Sequence, residues 1–199
     1  MARPHLVLSD RYFEAVRYTS RAHANQTRKG GNISYMSHLL GVSSLIIEAG
    51  GDEDQAIAGL LHDVVEDQGG LWRLAEVRTV FGDRVADIVL GCSDSLDDDE
   101  DGFWPIYWER KQRYLDRLET EPAELVMVSI ADKVHNSRAL VTDLQAYGIE
   151  VFNKFHGSPR EIIHYYRECF RIGVKAEVSH VLTVPLATAI RDIEFLVYG

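Results

Sequence analysis

The chain has 199 residues, of which 46% are hydrophobic and 26% are charged, so it is long enough to bury a substantial core. Its formal net charge is −10, with acidic residues filling positions 97–101, and this balance argues against non-specific binding to nucleic acid, which needs a basic face. The two cysteines, Cys92 and Cys169, form no CxxC pair, which argues against a disulfide framework or a structural zinc knuckle.

The amino-terminal segment and the rest of the chain show no sign of membrane insertion. The first ten residues lack the apolar region of a signal peptide, and no stretch approaches the ~18 apolar residues that a membrane span requires. We therefore predict a cytoplasmic protein that works without a membrane. We also predict a single domain over residues 1–199.

Helical periodicity dominates the sequence, and alternating strand patterns are scarce, which predicts an all-α, compact multi-helix fold. Capping signals predict a first helix that starts at Ser9-Asp10, a second that ends at Gly50-Gly51, and a third that runs from Asp52 to Gly69-Gly70. Further helices are predicted over residues 71–81, 83–90, 108–118, 122–144, 159–174 and 184–197. The last of these predictions requires Pro185 to lie in a first turn. A loop is predicted over residues 93–102.

The third predicted helix contains an ionisable cluster, LLHDVVED, at residues 60–67. On a continuous helix, Glu66 would lie one turn after His62, and Asp67 one turn after Asp63, so that these side chains would share one flank. An imidazole and several carboxylates cannot be buried at low cost beside apolar residues unless a cation or hydrogen-bond donors compensate their charge. The cluster therefore makes a bound metal the leading hypothesis.

Two residues outside this cluster are plausible further ligands. His38 lies upstream, and Asp132 follows an apolar run on the helix predicted over residues 122–144, one turn before Asn136. Two imidazoles and two carboxylates without a thiolate suit Mn²⁺, Fe²⁺ or a catalytic Zn²⁺ better than a closed structural zinc site.

Four segments occur in a distinctive order, namely QTRKGG at 26–31, YMSH at 35–38, LHDVVED at 61–67 and ADKVHN at 131–136. They resemble the successive motifs of the hydrolase domain of RelA/SpoT homologues. More narrowly, the chain resembles the stand-alone small alarmone hydrolases, an HD-domain subgroup. The motifs span a little over half of the chain, and the last third matches much less distinctively.

The resemblance implies a role for each motif. One Mn²⁺ would be held by His38, His62, Asp63 and Asp132. Two acids would lie beside the attacking water, namely Glu66 and Asp67. The nucleotide substrate would face Arg28, Lys29 and Asn136.

Members of this family remove pyrophosphate from the 3′ position of a guanosine or adenosine alarmone, (p)ppGpp or (p)ppApp, in the stringent response. The chemistry of the implied residues supports such a reaction, because a metal lowers the pKa of a bound water and screens phosphate charge. Glu66 or Asp67 could act as general base or orient the water, and Arg28 with Lys29 could neutralise the pyrophosphate. The expected partner is a small nucleotide, and the oligomeric state is left open.

Several alternatives remain open at this point. Gly30 and Ala139 depart from the residues that are common in the family, which leaves the preference for guanine or adenine undecided. The enzyme could instead be a phosphatase of another nucleotide, such as NADPH, or the chain could be a non-catalytic nucleotide sensor. Arg28 and Lys29 could be solvated helix-end charges.

Three other residues, namely Tyr165, His23 and His135, are assigned less specifically. Tyr165 is predicted to stack on the base, with aromatic core packing as the alternative. His23 and His135 match no ligand position, so we expect them to serve packing or hydrogen bonding between helices.

Overall fold

A computed structural model describes residues 6–93 and 107–199. Within these ranges the regular structure is helical, and the one β feature is an isolated antiparallel bridge between Thr27 and Ser34. The prediction of an all-α fold is confirmed. The chain divides into two compact units, Met1–Asp97 and Asp98–Gly199. The acidic run at 97–101 and most of the loop predicted over 93–102 lie outside the described residues.

The described part of the first unit consists of helices joined by turns. These helices are α1 (Asp10–Ala22), α2 (Met36–Glu48), α3 (Glu53–Leu61), α4 (Val64–Gln68), α5 (Gly70–Phe81) and α6 (Asp83–Cys92). The start of α1 agrees with the capping signal, since the Ser9 side chain accepts a hydrogen bond from the backbone N–H of Arg11. At the start of α3, Asp52 and Gln55 form a capping box.

Close packing of α2 against α3 fixes the part of the first unit that carries the histidines. A Cβ added at Gly59 would lie 2.4 Å from the Cδ1 atom of Ile46 and 3.3 Å from the Cα atom of Ser43, so glycine favours this close approach. The Ser43 hydroxyl on α2 donates to the carbonyl of Ala56 on α3 at 2.9 Å. Thr19 of α1 donates to the carbonyl of Leu60 at 2.8 Å, which ties a third helix to the end of α3.

The prediction of one helix from Asp52 to Gly69-Gly70 is wrong, because the chain leaves the helix at His62 and Asp63. His62 Nδ1 donates to the carbonyl of Gly59 at 2.9 Å, and an unbroken helix would use that carbonyl for the backbone N–H of Asp63. Asp63 has φ −98° and ψ −4° and precedes α4. The predicted end is correct, since Gly69, with φ +137°, terminates α4.

The described part of the second unit contains α7 (Tyr107–Leu118), α8 (Ala123–Tyr147), a 3₁₀ helix (Gly148–Lys154), α9 (Pro159–Lys175) and α10 (His180–Tyr198). The long helix α8 packs against both α9 and α10. Gly173 permits the contact between α8 and α9, since a Cβ at this position would lie 3.1 Å from Cγ1 of Ile130. The helix predicted over residues 122–144 is therefore confirmed, and it packs at the centre of this unit.

The prediction that Pro185 lies in a first turn is wrong. The last helix starts at His180, after the cap residue Ser179, so Pro185 lies inside the helix. A proline in a helix interior removes one backbone hydrogen bond and costs about 3 kcal/mol or more. Packing offsets this cost, because one face of α10 is buried, namely Leu182, Thr183, Leu186, Ala189, Ile190 and Ile193.

None of the described helices is long and apolar enough to cross a membrane.

Candidate metal centre

Two buried imidazoles face each other in the first unit. His38 is 0% exposed and His62 is 3% exposed, and their Nε2 atoms lie 3.3 Å apart. Because the Gly59 carbonyl can only accept, His62 Nδ1 carries the proton, and the neutral form of the ring presents a lone pair at Nε2. Metal-binding histidines are commonly oriented in this way, with the second ring nitrogen bonded to a backbone carbonyl.

Asp63 adds a carboxylate to the two imidazoles. Its Oδ2 atom lies 3.1 Å from Nε2 of His62 and 3.6 Å from Nε2 of His38. The Tyr35 hydroxyl donates to the same oxygen at 2.6 Å. Burial raises the pKa of Asp63, but its electrostatic interactions and hydrogen bonds with His62 and His38 outweigh this effect and hold the pKa well below its usual range. Two nitrogens and one anionic oxygen therefore converge, and this donor set could hold a divalent metal ion.

The two acids predicted to act on water lie on α4, and both residues are exposed. Gln26 Nε2 donates to Asp67 Oδ2 at 2.7 Å. Partial desolvation of its carboxyl group raises the pKa of Asp67, and the negative charge of Asp63 raises it further. Because the chain breaks at Asp63, Glu66 and Asp67 belong to a separate short helix from the residues before His62, and their catalytic roles stay predictions.

The basic pair Arg28-Lys29 lies in the turn between α1 and α2. The Arg28 backbone N–H donates to the carbonyl of Ile33 at 2.9 Å and closes this turn. The Arg28 guanidinium carbon lies 5.8 Å from the centre of the Tyr35 ring, whereas Lys29 is exposed. The structure thus brings Arg28 next to the tyrosine that holds Asp63, and the contacts of both basic residues with a substrate stay predictions.

Asp132 and Asn136 lie in the second unit, one turn apart on α8, as the sequence indicates. Asp132 is 7% exposed. Its Oδ2 atom lies 2.5 Å from the ammonium of Lys133, and Asn136 Nδ2 donates to its Oδ1 atom at 2.5 Å. The buried carboxylate is therefore compensated within its own helix, and its role as a metal ligand stays a prediction.

Tyr165 lies on α9 and is 6% exposed. Its ring packs 6.0 Å from that of Tyr166 and 6.4 Å from that of Tyr114, measured between ring centres. The Lys133 ammonium lies 5.8 Å from the centre of the Tyr165 ring. Core packing accounts for this burial, and stacking of Tyr165 on a base stays a prediction.

Sequence reasoning overlooked two partners of the site residues. Tyr35 stands three residues before His38 in the YMSH segment, and Lys133 directly follows Asp132 in the ADKVHN segment. Their positions inside the motifs were the only available signal. The contacts themselves depend on side-chain directions that spacing does not reveal.

Comparison with known proteins identifies the family. A family profile described as HD domain matches residues 15–157. The chain is 31% identical over 118 residues to a protein of Synechocystis sp. named probable guanosine-3′,5′-bis(diphosphate) 3′-pyrophosphohydrolase, covering 59% of this chain and 15% of that protein. It is 28% identical over 125 residues to the bifunctional (p)ppGpp synthase/hydrolase SpoT of Escherichia coli, covering 60% of this chain and 16% of that protein. The chain thus spans about one sixth of the length of these relatives.

Solved structures support the fold. One of them, from work reporting that a metazoan ortholog of SpoT hydrolyzes ppGpp, matches with a TM-score of 0.70 at 24% identity and covers 94% of this chain and 97% of that chain. A protein of Listeria monocytogenes matches with a TM-score of 0.64 at 24% identity, covering 81% of this chain and 99% of that chain. The predicted resemblance to RelA/SpoT homologues is confirmed, and because the profile matches well over half of its residues, the chain belongs to the HD-domain family.

Proposed function

We propose that this chain is a metal-dependent hydrolase that removes pyrophosphate from the 3′ position of a guanosine or adenosine alarmone, (p)ppGpp or (p)ppApp. One observation carries the proposal. In an HD-domain chain whose relatives include named (p)ppGpp hydrolases, two buried imidazole nitrogens lie 3.3 Å apart, with a carboxylate oxygen 3.1 Å and 3.6 Å from them.

The metal in this proposal is Mn²⁺, and the ligands are His38, His62, Asp63 and Asp132. A mixed nitrogen and oxygen set without a thiolate suits this ion. When bound, a divalent metal lowers the pKa of a coordinated water and screens the charge of a phosphate. The tautomer of His62 supports the assignment, because the bond to Gly59 leaves the Nε2 lone pair directed towards His38.

Glu66 and Asp67 are proposed to orient the attacking water and to accept its proton. A general base works best when its pKa approaches the working pH, and the pKa of Asp67 is raised in that direction. Gln26 holds the Asp67 carboxylate through one oxygen. We therefore assign the acceptance of the proton to the other oxygen of Asp67, Oδ1.

Arg28 and Lys29 are proposed to neutralise the pyrophosphate group that is removed. A guanidinium and an ammonium stabilise the charge that grows on the leaving phosphate oxygens. Asn136 is proposed to hydrogen-bond the nucleotide, and Tyr165 to stack on its base. We further propose that the substrate is a free nucleotide in the cytoplasm and that residues 1–199 act as one domain.

A product assay tests this function. The purified protein is stripped with a chelator, reloaded with Mn²⁺, and incubated with guanosine and adenosine alarmones, and the products are separated by anion exchange. The proposal predicts that pyrophosphate and the corresponding nucleoside 5′-phosphate are released, and that they are released only after Mn²⁺ has been restored. Release of orthophosphate instead, or turnover of NADPH alone, would show a different nucleotide phosphatase. Bound but unchanged alarmone after prolonged incubation would show a sensor.

A further inference from the structure

We propose that His23 is a positioning residue for the candidate site, acting on Asp67 through Gln26 and on Asp63 through Tyr35. His23 directly follows α1 and is 1% exposed. The inference rests on the proposed function for the roles of Asp63 and Asp67. Its geometric part lies entirely within the first unit.

The first branch runs through the side-chain amide of Gln26. His23 Nδ1 and Gln26 Oε1 lie 2.7 Å apart, and because an amide oxygen only accepts, the imidazole donates. Gln68 Nε2 donates to the same oxygen at 2.5 Å. With two donors on its oxygen, the amide turns its NH₂ group to Asp67, where it donates to Oδ2 at 2.7 Å. The opposite orientation would place the amide oxygen against a carboxylate.

The second branch runs through the ring of Tyr35. His23 and Tyr35 stack with ring centres 5.3 Å apart and planes 25° apart. This contact sets the plane of the tyrosine ring, and with it the direction of the hydroxyl that donates to Asp63 Oδ2 at 2.6 Å. Partners of this kind, one step removed from a ligand, orient the ligand towards its metal.

The second ring nitrogen of His23, Nε2, distinguishes a positioning role from a role in packing alone. His23 Nε2 is buried and has no hydrogen-bond partner among residues 6–93 and 107–199. A phenylalanine would fill a similar volume without an unpaired nitrogen, so packing alone would favour the apolar ring. The feature that the imidazole adds is the Nδ1–H donor to Gln26.

Two substitutions of His23 separate the branches. His23→Phe keeps a ring against Tyr35 and removes the donor to Gln26, whereas His23→Asn keeps an N–H donor near the position of Nδ1 and removes the ring. We expect His23→Phe to lower kcat by about 10-fold to 100-fold with unchanged KM and Mn²⁺ affinity. We expect His23→Asn to weaken Mn²⁺ binding about tenfold. His180→Phe, at an exposed histidine, serves as the matched control.

Readouts independent of turnover accompany the kinetics. Mn²⁺ affinity is measured by calorimetry with the metal alone, and the side-chain amide of Gln26 is followed by ¹⁵N NMR. The Gln26 amide signal should move in His23→Phe and remain close to wild type in His23→Asn. Wild-type kcat with an unmoved Gln26 signal in His23→Phe, or wild-type Mn²⁺ affinity in His23→Asn, would overturn the inference.

Variants of the two residues that connect His23 to the site, Tyr35 and Gln26, cover the case in which a His23 variant does not fold. Tyr35→Phe removes only the hydroxyl that holds Asp63 and should weaken Mn²⁺ binding alone, whereas Gln26→Met should lower kcat alone. The reverse pattern would overturn the inference. If the wild-type protein hydrolyses no alarmone, the proposed function fails, but the metal affinities and the Gln26 signal still decide the role of His23.

Discussion

The two units compensate the charge of acidic side chains by different means. In the first unit, Asp63 lies 3.1 Å from an imidazole nitrogen of His62, and a second imidazole lies next to it. In the second unit, Asp132 lies 2.5 Å from the ammonium of Lys133. A neutral imidazole can offer its lone pair to a cation, whereas an ammonium can only donate. The first arrangement is therefore suited to an added metal, whereas in the second an ammonium already pairs with the carboxylate that we propose as a further ligand.

The pKa values express the same contrast. Burial lowers the pKa of Lys133, but the negative charge of Asp132 outweighs it and holds the pKa well above its usual range. The pKa of Asp63 is held low by its electrostatic interactions and hydrogen bonds with His62 and His38, which belong to the proposed ligand set. A bound metal ion would supply positive charge at the same place. Substitutions in the two units should therefore impair different properties, namely metal binding in the first unit and stability in the second.

The largest effect is expected for Asp63→Ala in the first unit. Loss of this carboxylate removes a proposed ligand, so both metal retention and turnover should disappear, beyond the about 10-fold to 100-fold losses typical of residues one step removed from a metal. Metal content after gel filtration, measured by elemental analysis, checks this together with the alarmone assay. His180→Ala, at an exposed histidine, is the control. Retained metal in Asp63→Ala would exclude Asp63 from the ligand set.

The second largest effect is expected for Lys133→Met, which acts on stability. In the metal-free protein, removing the ammonium leaves the buried Asp132 carboxylate without this charge partner, and breaking such a pair typically costs about 3–5 kcal/mol in the free energy of unfolding. Urea unfolding followed by circular dichroism measures this change. The double variant Lys133→Met/Asp132→Asn should recover much of the loss, because the uncompensated charge is gone. Equal stability of the single and double variants would contradict the charge-pair account.

Glu66→Gln should separate chemistry from metal binding in the first unit. The substitution removes a proton acceptor but leaves His38, His62 and Asp63 unchanged, so turnover should fall by about 100-fold while the metal stays bound. Single-turnover kinetics and metal content test this split. Glu14→Gln, at a partly exposed residue of α1 whose carboxylate pairs with Arg17, is the matched control. Loss of metal in Glu66→Gln would instead make Glu66 a ligand or a support for one.

Most of the helices and most of the candidate site residues could be predicted from the sequence, because both predictions depend on local signals. Ser9 at the start of α1 and the Asp52 capping box at the start of α3 act within one turn of the chain. The break at His62 was not predictable, because it depends on a side chain that bonds the Gly59 carbonyl. The prediction for Pro185 was wrong for a related reason. Burial of one face of α10 overrides the local rule that excludes proline from the interior of a helix.

The candidate site shows the same limit. His38, His62 and Asp63 were found from residue type and motif order, and the structure brings them together. Tyr35 and Lys133 were missed, although they contact Asp63 and Asp132. Periodicity places a residue on a face of its own helix, but it does not reveal which side chain of another segment it meets.

The smallest effect is expected at the surface of the second unit, where Glu119 tests how far charge pairing depends on burial. Glu119 accepts hydrogen bonds from Arg171 at 2.8 Å and from Lys175 at 2.9 Å, and these contacts lower its pKa from 4.5 to about 2. A lowered pKa in the folded state stabilises the protein above pH 4.5, and this contribution is lost as the pH falls to about 2. At low salt, Glu119→Gln should therefore lower the urea midpoint above pH 4.5 and flatten its fall over this acid range. At neutral pH and high salt the variant should differ little from wild type, because solvent ions screen exposed pairs. An unchanged acid slope in Glu119→Gln would assign the acid sensitivity of this unit to other carboxylates.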